Sequence, residues 1–159
     1  MPNVILNTEG NSMYGLISNR DKIIVNTCDF SPKFGDILVY KKNHNYIAHR
    51  CYFAFFKYII TAGDNCNRFE IIRKHDVIGL VEFVVKDNGY HKLIENNWYR
   101  TKYTFFLIFF IVANKFTFNS IRTTQKNRYI KLKQKICRFA YRKRRKLQQI
   151  YLERIKVKG

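Results

Sequence analysis

The first 94 residues are cut into short runs rich in Ile, Val, Tyr and Phe, at 22–26, 37–41, 46–56, 57–62, 77–86 and 90–94. Most are separated by segments carrying Gly, Asn, Asp or Pro, among them Asp21, the Ser31-Pro32-Lys33-Phe34-Gly35-Asp36 stretch and Asp87-Asn88-Gly89. β-Branched and aromatic residues suit a pleated, half-buried surface, and Gly, Asn and Asp suit the tight turns between strands. Many short strands with no helical period between them exclude a parallel α/β fold and predict a curled β-sheet domain over 1–94.

The pattern changes after Glu95. Residues 103–118 are an apolar stretch that meets Asn114 and Lys115 before reaching the roughly 20 apolar residues a full membrane span needs. The 95–118 segment therefore reads as an apolar helix with three candidate placements: a short single-pass span, an interfacial helix, or a cover over the β domain's core. Residues 121–157 contain no Pro or Gly. Tyr129, Leu132, Ile136, Phe139, Ala140, Leu147, Ile150, Tyr151 and Ile155 recur at steps of three and four, which predicts a basic amphipathic helix over 119–159.

Charge follows the same division. The net charge is +19, and residues 119–159 hold 15 Lys and Arg against the single acid Glu153. Such asymmetry points to an anionic partner. An apolar stretch followed by a basic amphipathic helix fits an anionic membrane surface contacted through 103–157. Nucleic acid is the less favoured partner. Tyr129, Phe139, Tyr141 and Tyr151 could stack on bases, but no nucleic-acid-binding motif is recognisable.

The cysteines Cys28, Cys51, Cys66 and Cys137 form no Cys-x-x-Cys pair, and His44, His49, His75 and His91 do not join them at zinc-site spacing. They read as free thiols, and no metal or cofactor is expected. Residues 1–9 lack the basic and apolar regions of a secretory signal. The expected location is cytoplasmic or membrane-peripheral.

Taken singly, Ser12 is a turn residue, His49 a strand histidine and Asp64 a turn cap. Their contexts occur in a particular order: Gly10-Asn11-Ser12-Met13, then Gly35-Asp36-Ile37-Leu38-Val39, then His49-Arg50, then Thr61-Ala62-Gly63-Asp64-Asn65. Together these boxes resemble the catalytic domain of type I signal peptidases and their self-cleaving repressor relatives. The His-Arg box resembles the serine–histidine branch of archaea and the endoplasmic reticulum. The likeness covers roughly residues 8–82, with Asp76-Val77-Ile78-Gly79-Leu80-Val81 standing as the closing strand. Two positions depart from the family pattern: Gly15 stands where Pro is usual, and Glu70 stands six residues after Asp64 where that branch has Asp.

The resemblance implies a mainly β, curled-sheet peptidase domain carrying an α-helical carboxy-terminal extension, and a serine endopeptidase acting on a leader or precursor peptide. It implies Ser12 as nucleophile and His49 as general base, with Asp64 or Glu70 as the carboxylate that orients His49. The oxyanion would be held by the Ser12 N–H with help from Gly10 or Asn11. Met13, Leu16, Ile23 and Val25 are the expected walls of the substrate pocket. The alternative reading is a non-catalytic basic protein that binds an anionic membrane surface or nucleic acid.

Overall fold

The computed structural model describes residues 3–28, 30–66, 68–87, 89–93, 97–119, 139, 142–147 and 149–150. The chain is mainly β, with eight strands among the described residues in a curled, antiparallel half-barrel sheet. The strands are β1 (Asn3–Asn7), β2 (Lys22–Asn26), β3 (Ile37–Lys42), β4 (Asn45–Phe55), β5 (Tyr58–Ala62), β6 (Glu70–Arg73), β7 (Val77–Lys86) and β8 (Gly89–Lys92). A helix, α1 (Asn97–Asn119), follows.

The strand order is β1-β2-β7-β3-β4-β5-β6. Long β7 organises one half. Along one edge it pairs with β2, and along the other with β3 through Val77–Leu80 and with β8 through Phe83–Lys86. Long β4 organises the other half. It pairs with β3 through Asn45–Arg50 and with β5 only from Arg50 onward. The stretch from Asn45 to His49 therefore has a strand on one side alone.

The strand alternation separates two apolar layers. Ile23, Val25, Ile37, Val39, Val81 and Val84 pack with Met13, Leu16 and Ile17 inside the curl. Leu38 and Tyr40 project the other way, with Cys51, Ile59 and Ile72. Side chains alternate between faces with period two, so neighbours such as His49 and Arg50 serve opposite sides of the sheet.

Of the three placements considered for the apolar segment, the helix lies on the sheet. Tyr103, Leu107 and Ile111 recur at i, i+4 and i+8 and pack against Tyr52 and Ala62. No helix among the described residues is long and apolar enough to cross a membrane. Most of the 119–159 amphipathic segment lies outside the described residues. Cys28, Cys51 and Cys66 are unpaired thiols, and Cys137 lies outside the described residues.

Two strands escaped the sequence reading. β1 and β6 are 5 and 4 residues long, and most of their residues are at least partly exposed, so neither carries a clean apolar alternation. The β3–β4 connection is a two-residue turn, Asn43-His44, with φ of 48° and 66°. Two left-handed residues in a tight hairpin suit Asn-Gly best. His44 is exposed, so its side chain contributes no burial to offset that backbone cost. The substitution His44→Gly is expected to stabilise the fold by about 1 kcal/mol, the cost of holding a Cβ in left-handed geometry. Urea unfolding measures this, and a lower midpoint would contradict it.

Candidate functional site

Ser12 sits in the tight segment that joins β1 to β2. Backbone bonds from Tyr14 N to Asn11 O (3.2 Å), Leu16 N to Met13 O (3.1 Å) and Ile17 N to Met13 O (2.9 Å) wind this segment. Met13, Leu16 and Ile17 anchor it in the core while Ser12 stays half-buried above them. Gly15, the departure from the family's usual Pro, has φ of 102°. A proline ring holds φ near −65°, so Pro cannot take this position here. The winding that buries Leu16 and Ile17 requires glycine.

The Ser12 segment rests on the loop after β5. Asn65 N donates to Ser12 O (2.7 Å), and Asn65 Nδ2 donates to Asn11 O (3.1 Å). A Cβ at Gly63 would lie 2.5 Å from Ser12 O and 2.9 Å from Ser12 Cβ. The glycine of the Thr61-Ala62-Gly63-Asp64-Asn65 box is thus where the serine loop makes its closest approach.

Asp64 is wholly buried and faces Arg50, not His49. Arg50 Nε donates to Asp64 Oδ1 (2.8 Å) and Nη2 to Oδ2 (2.7 Å), a bidentate pair. Nη1 donates to Gly35 O (2.7 Å), and the guanidinium lies 5.1 Å from the Tyr103 ring centre. The Asp64 N–H points to Met13 Sδ at 3.2 Å. The pair therefore joins β4, the serine segment, the turn before β3, and α1.

His49, buried on the opposite face of β4, contacts Tyr40. Its Nδ1 lies 3.0 Å from Tyr40 Oη, and Tyr40 Oη donates to Glu70 Oε2 at 2.9 Å. Lys42 Nζ lies 3.3 Å from the same carboxylate oxygen. Burial holds the His49 imidazole below its usual pKa, against the opposing pull of Glu70 and Asp64. Burial alone would raise the Glu70 carboxyl, but hydrogen bonds from Tyr40 and Lys42 and the Lys42 charge bring it below its ordinary value.

The path from Ser12 to His49 runs through the residues between them. Ala62, just before Gly63, pairs with Arg50, just after His49, and Ser12 packs on Gly63. Among the described residues no hydrogen bond joins Ser12 Oγ to His49, and the Ser12 backbone N–H has no partner. A cleft of about 190 Å³ opens beside Ser12. Its walls include Leu6–Gly10 of β1 and the segment after it, Tyr46–Ala48 of β4, and Met13, Ile23 and Val39 at its base. Gly10, an expected oxyanion residue, lines this cleft, with φ of 88°. Asn11 is exposed, its carbonyl engaged by Tyr14 and Asn65. Of the four expected pocket walls, Met13 and Ile23 line the cleft, whereas Leu16 and Val25 have no exposure and belong to the core beneath it.

Three residues at this site had no role in the sequence reading: Tyr40, Asn65 and Arg144. Arg144 is buried, donates to Asn65 Oδ1 and stacks 5.3 Å from the Phe110 ring centre. Arg145 lies 5.2 Å from the Tyr14 ring centre. These tail residues touch the loops that carry Ser12 and Asn65. Nothing in a run of Lys and Arg marks which one is buried. Tyr40 was legible only as one residue of the apolar run that forms β3.

A scan of protein-family models and a search of characterised proteins return no match to this chain.

The two carboxylates differ in what their removal does. Asp64→Asn leaves buried Arg50 without its counter-ion, which costs about 3–5 kcal/mol. Glu70 is one-third exposed, so Glu70→Gln should stay within about 1 kcal/mol of the parent. Urea unfolding of both variants checks this, and equal losses would contradict the division.

Proposed function

We propose that the chain is a serine endopeptidase of the signal-peptidase type that cuts a leader or precursor peptide, with Ser12 as nucleophile and His49 as general base. The observation that carries the reading is the cleft beside Ser12, bounded by two strand edges that have no strand partner among the described residues. β1 is the terminal strand, and β4 lacks a second neighbour before Arg50. A peptide entering as an extended strand gains main-chain hydrogen bonds there, and alternate side chains drop toward the cleft base. Met13, Ile23 and Val39 make that base apolar, which favours uncharged side chains, and the family resemblance implies small ones before the cut.

In the reaction, His49 Nε2 takes the Ser12 hydroxyl proton as Oγ bonds to the scissile carbonyl carbon, and the carbonyl π pair moves to oxygen. The free Ser12 N–H, beside Gly10 at the cleft wall, is the donor for that oxyanion. Collapse breaks the C–N bond, and the imidazolium gives its proton to the departing amine. Water, deprotonated by His49, then attacks the acyl-enzyme and releases the new carboxy terminus and Ser12. Catalytic hydrogen bonds commonly shorten only when substrate is bound, so the Ser12–His49 bond belongs to the complex.

The working base is neutral imidazole. Burial holds the His49 pKa below 6.5, so the base is available at neutral pH and is lost only on acidification past that lowered value. Cuts in a library of unstructured peptides, mapped by mass spectrometry, test the proposal with the full chain. Cleavage is expected after small residues, with an acid limb of kcat/KM below pH 6.5 and a loss of at least about 1,000-fold in Ser12→Ala. The same cuts by Ser12→Ala, or none by the parent, would overturn it.

A further inference from the structure

A histidine base needs its second ring nitrogen held, so that the proton sits on the far side and the lone pair faces the nucleophile. In this chain the wholly buried carboxylate Asp64 is bound on both oxygens by Arg50. The other carboxylate, Glu70, reaches His49 through Tyr40. We propose that Tyr40 is a positioning residue, a neutral hydroxyl bridge that orients His49 and couples it to Glu70. This assignment rests on the peptidase reading for its catalytic consequence, while its proton arrangement stands on geometry alone.

One arrangement satisfies His49 Nδ1, the Tyr40 hydroxyl and Glu70 Oε2 together. Glu70, held in its ionised form at neutral pH, can only accept. The single Tyr40 O–H is therefore committed to Glu70 Oε2 at 2.9 Å. The Tyr40 oxygen is left as an acceptor toward His49 Nδ1 at 3.0 Å, so the proton of neutral His49 sits on Nδ1. The lone pair is then on Nε2. Were Tyr40 to donate to His49 instead, the Glu70 oxygen would lose its phenol donor.

Placing a hydroxyl between the imidazole and the carboxylate also sets the strength of their coupling. A carboxylate bonded directly to the ring would favour the imidazolium strongly. One hydroxyl further away, it aids the cation during proton transfer without holding the resting ring protonated. The charged and titratable groups around the ring agree with this. Tyr40 and Lys42 come from β3, Glu70 from β6, and Asp64 and Cys66 from the loop after β5. Lys42 opposes the imidazolium, Asp64 is balanced by Arg50, and the half-buried Cys66 thiol is held neutral by burial. The Tyr40 phenol is itself shifted upward, by burial first and Glu70 second, and so stays protonated.

Nitrogen-15 NMR of the His49 ring in the full chain tests the bridge without relying on activity. The parent is expected to show the Nδ1–H form at neutral pH. In Tyr40→Phe the Nδ1–H form should cease to dominate, and the His49 titration midpoint should move lower because the link to Glu70 is cut. Glu70→Gln should also lower the midpoint, and the double variant should fall no further than the lower single variant. An Nε2–H form in the parent, or an unchanged ring in Tyr40→Phe, would overturn the bridge. If Tyr40→Phe does not fold, the parent ring form and the Glu70→Gln shift decide the matter.

On peptide substrate, Tyr40→Phe should lower kcat by roughly 10- to 100-fold with KM nearly unchanged. The acid limb should move in step with the NMR midpoint. A kcat loss without that movement would reduce Tyr40 to a packing residue and overturn the bridge. The expected ring form in a chain that cuts no peptide would uphold the bridge while ending the peptidase reading.

Discussion

The buried pair of Arg50 and Asp64 is the constraint on which the rest of the arrangement depends. Two charges with no solvent exposure are tolerated only when both are fully matched, and here each carboxylate oxygen meets its own guanidinium nitrogen. The remaining guanidinium contacts reach the Gly35 carbonyl and the Tyr103 ring. One ion pair thus ties β4 to the loop after β5, to the turn before β3 and to α1. Because Asp64 is held, Gly63 and Asn65 on either side of it are held, and these are the residues on which Ser12 rests. A second pair, Arg100 with Asp36, fastens the start of α1 to the same turn.

Strand alternation then divides labour between neighbouring residues. His49 and Arg50 lie side by side in β4 and face opposite ways. Arg50 organises the loop on one face, and His49 meets Tyr40, and through it Glu70, on the other. The two carboxylates divide in the same way. Asp64 is structural and bound to Arg50, whereas Glu70 is partly exposed and shares its charge with Lys42 and the Tyr40 hydroxyl. Glu70 meets the Tyr40 phenol and not the imidazole itself.

The strands that bury a face were readable because burial gathers Ile, Val, Tyr and Phe into short runs between turn residues, as in β3, β4, β5 and β7. β1 and β6 were not, because edge strands with exposed side chains carry no such constraint. Ser12, His49, Asp64 and Glu70 stood out through the residues around them. Their partnerships did not, because pairing depends on which face of β4 each side chain takes and on the register with β3. Sequence reading left Asp64 and Glu70 as rivals for His49. The structure gives Asp64 to Arg50 and places Tyr40 before Glu70. Gly15 gained its reason only from a backbone angle that proline cannot adopt. The buried role of Arg144 was hidden among like residues in the basic tail.

The proposed function requires Ser12 to be a nucleophile activated by His49. Mapping the adduct of a reactive peptidyl phosphonate by mass spectrometry tests it most directly. A single adduct on Ser12 is expected in the parent chain, and none in a folded His49→Ala variant. An adduct elsewhere, or equal labelling of Ser12 without His49, would contradict it.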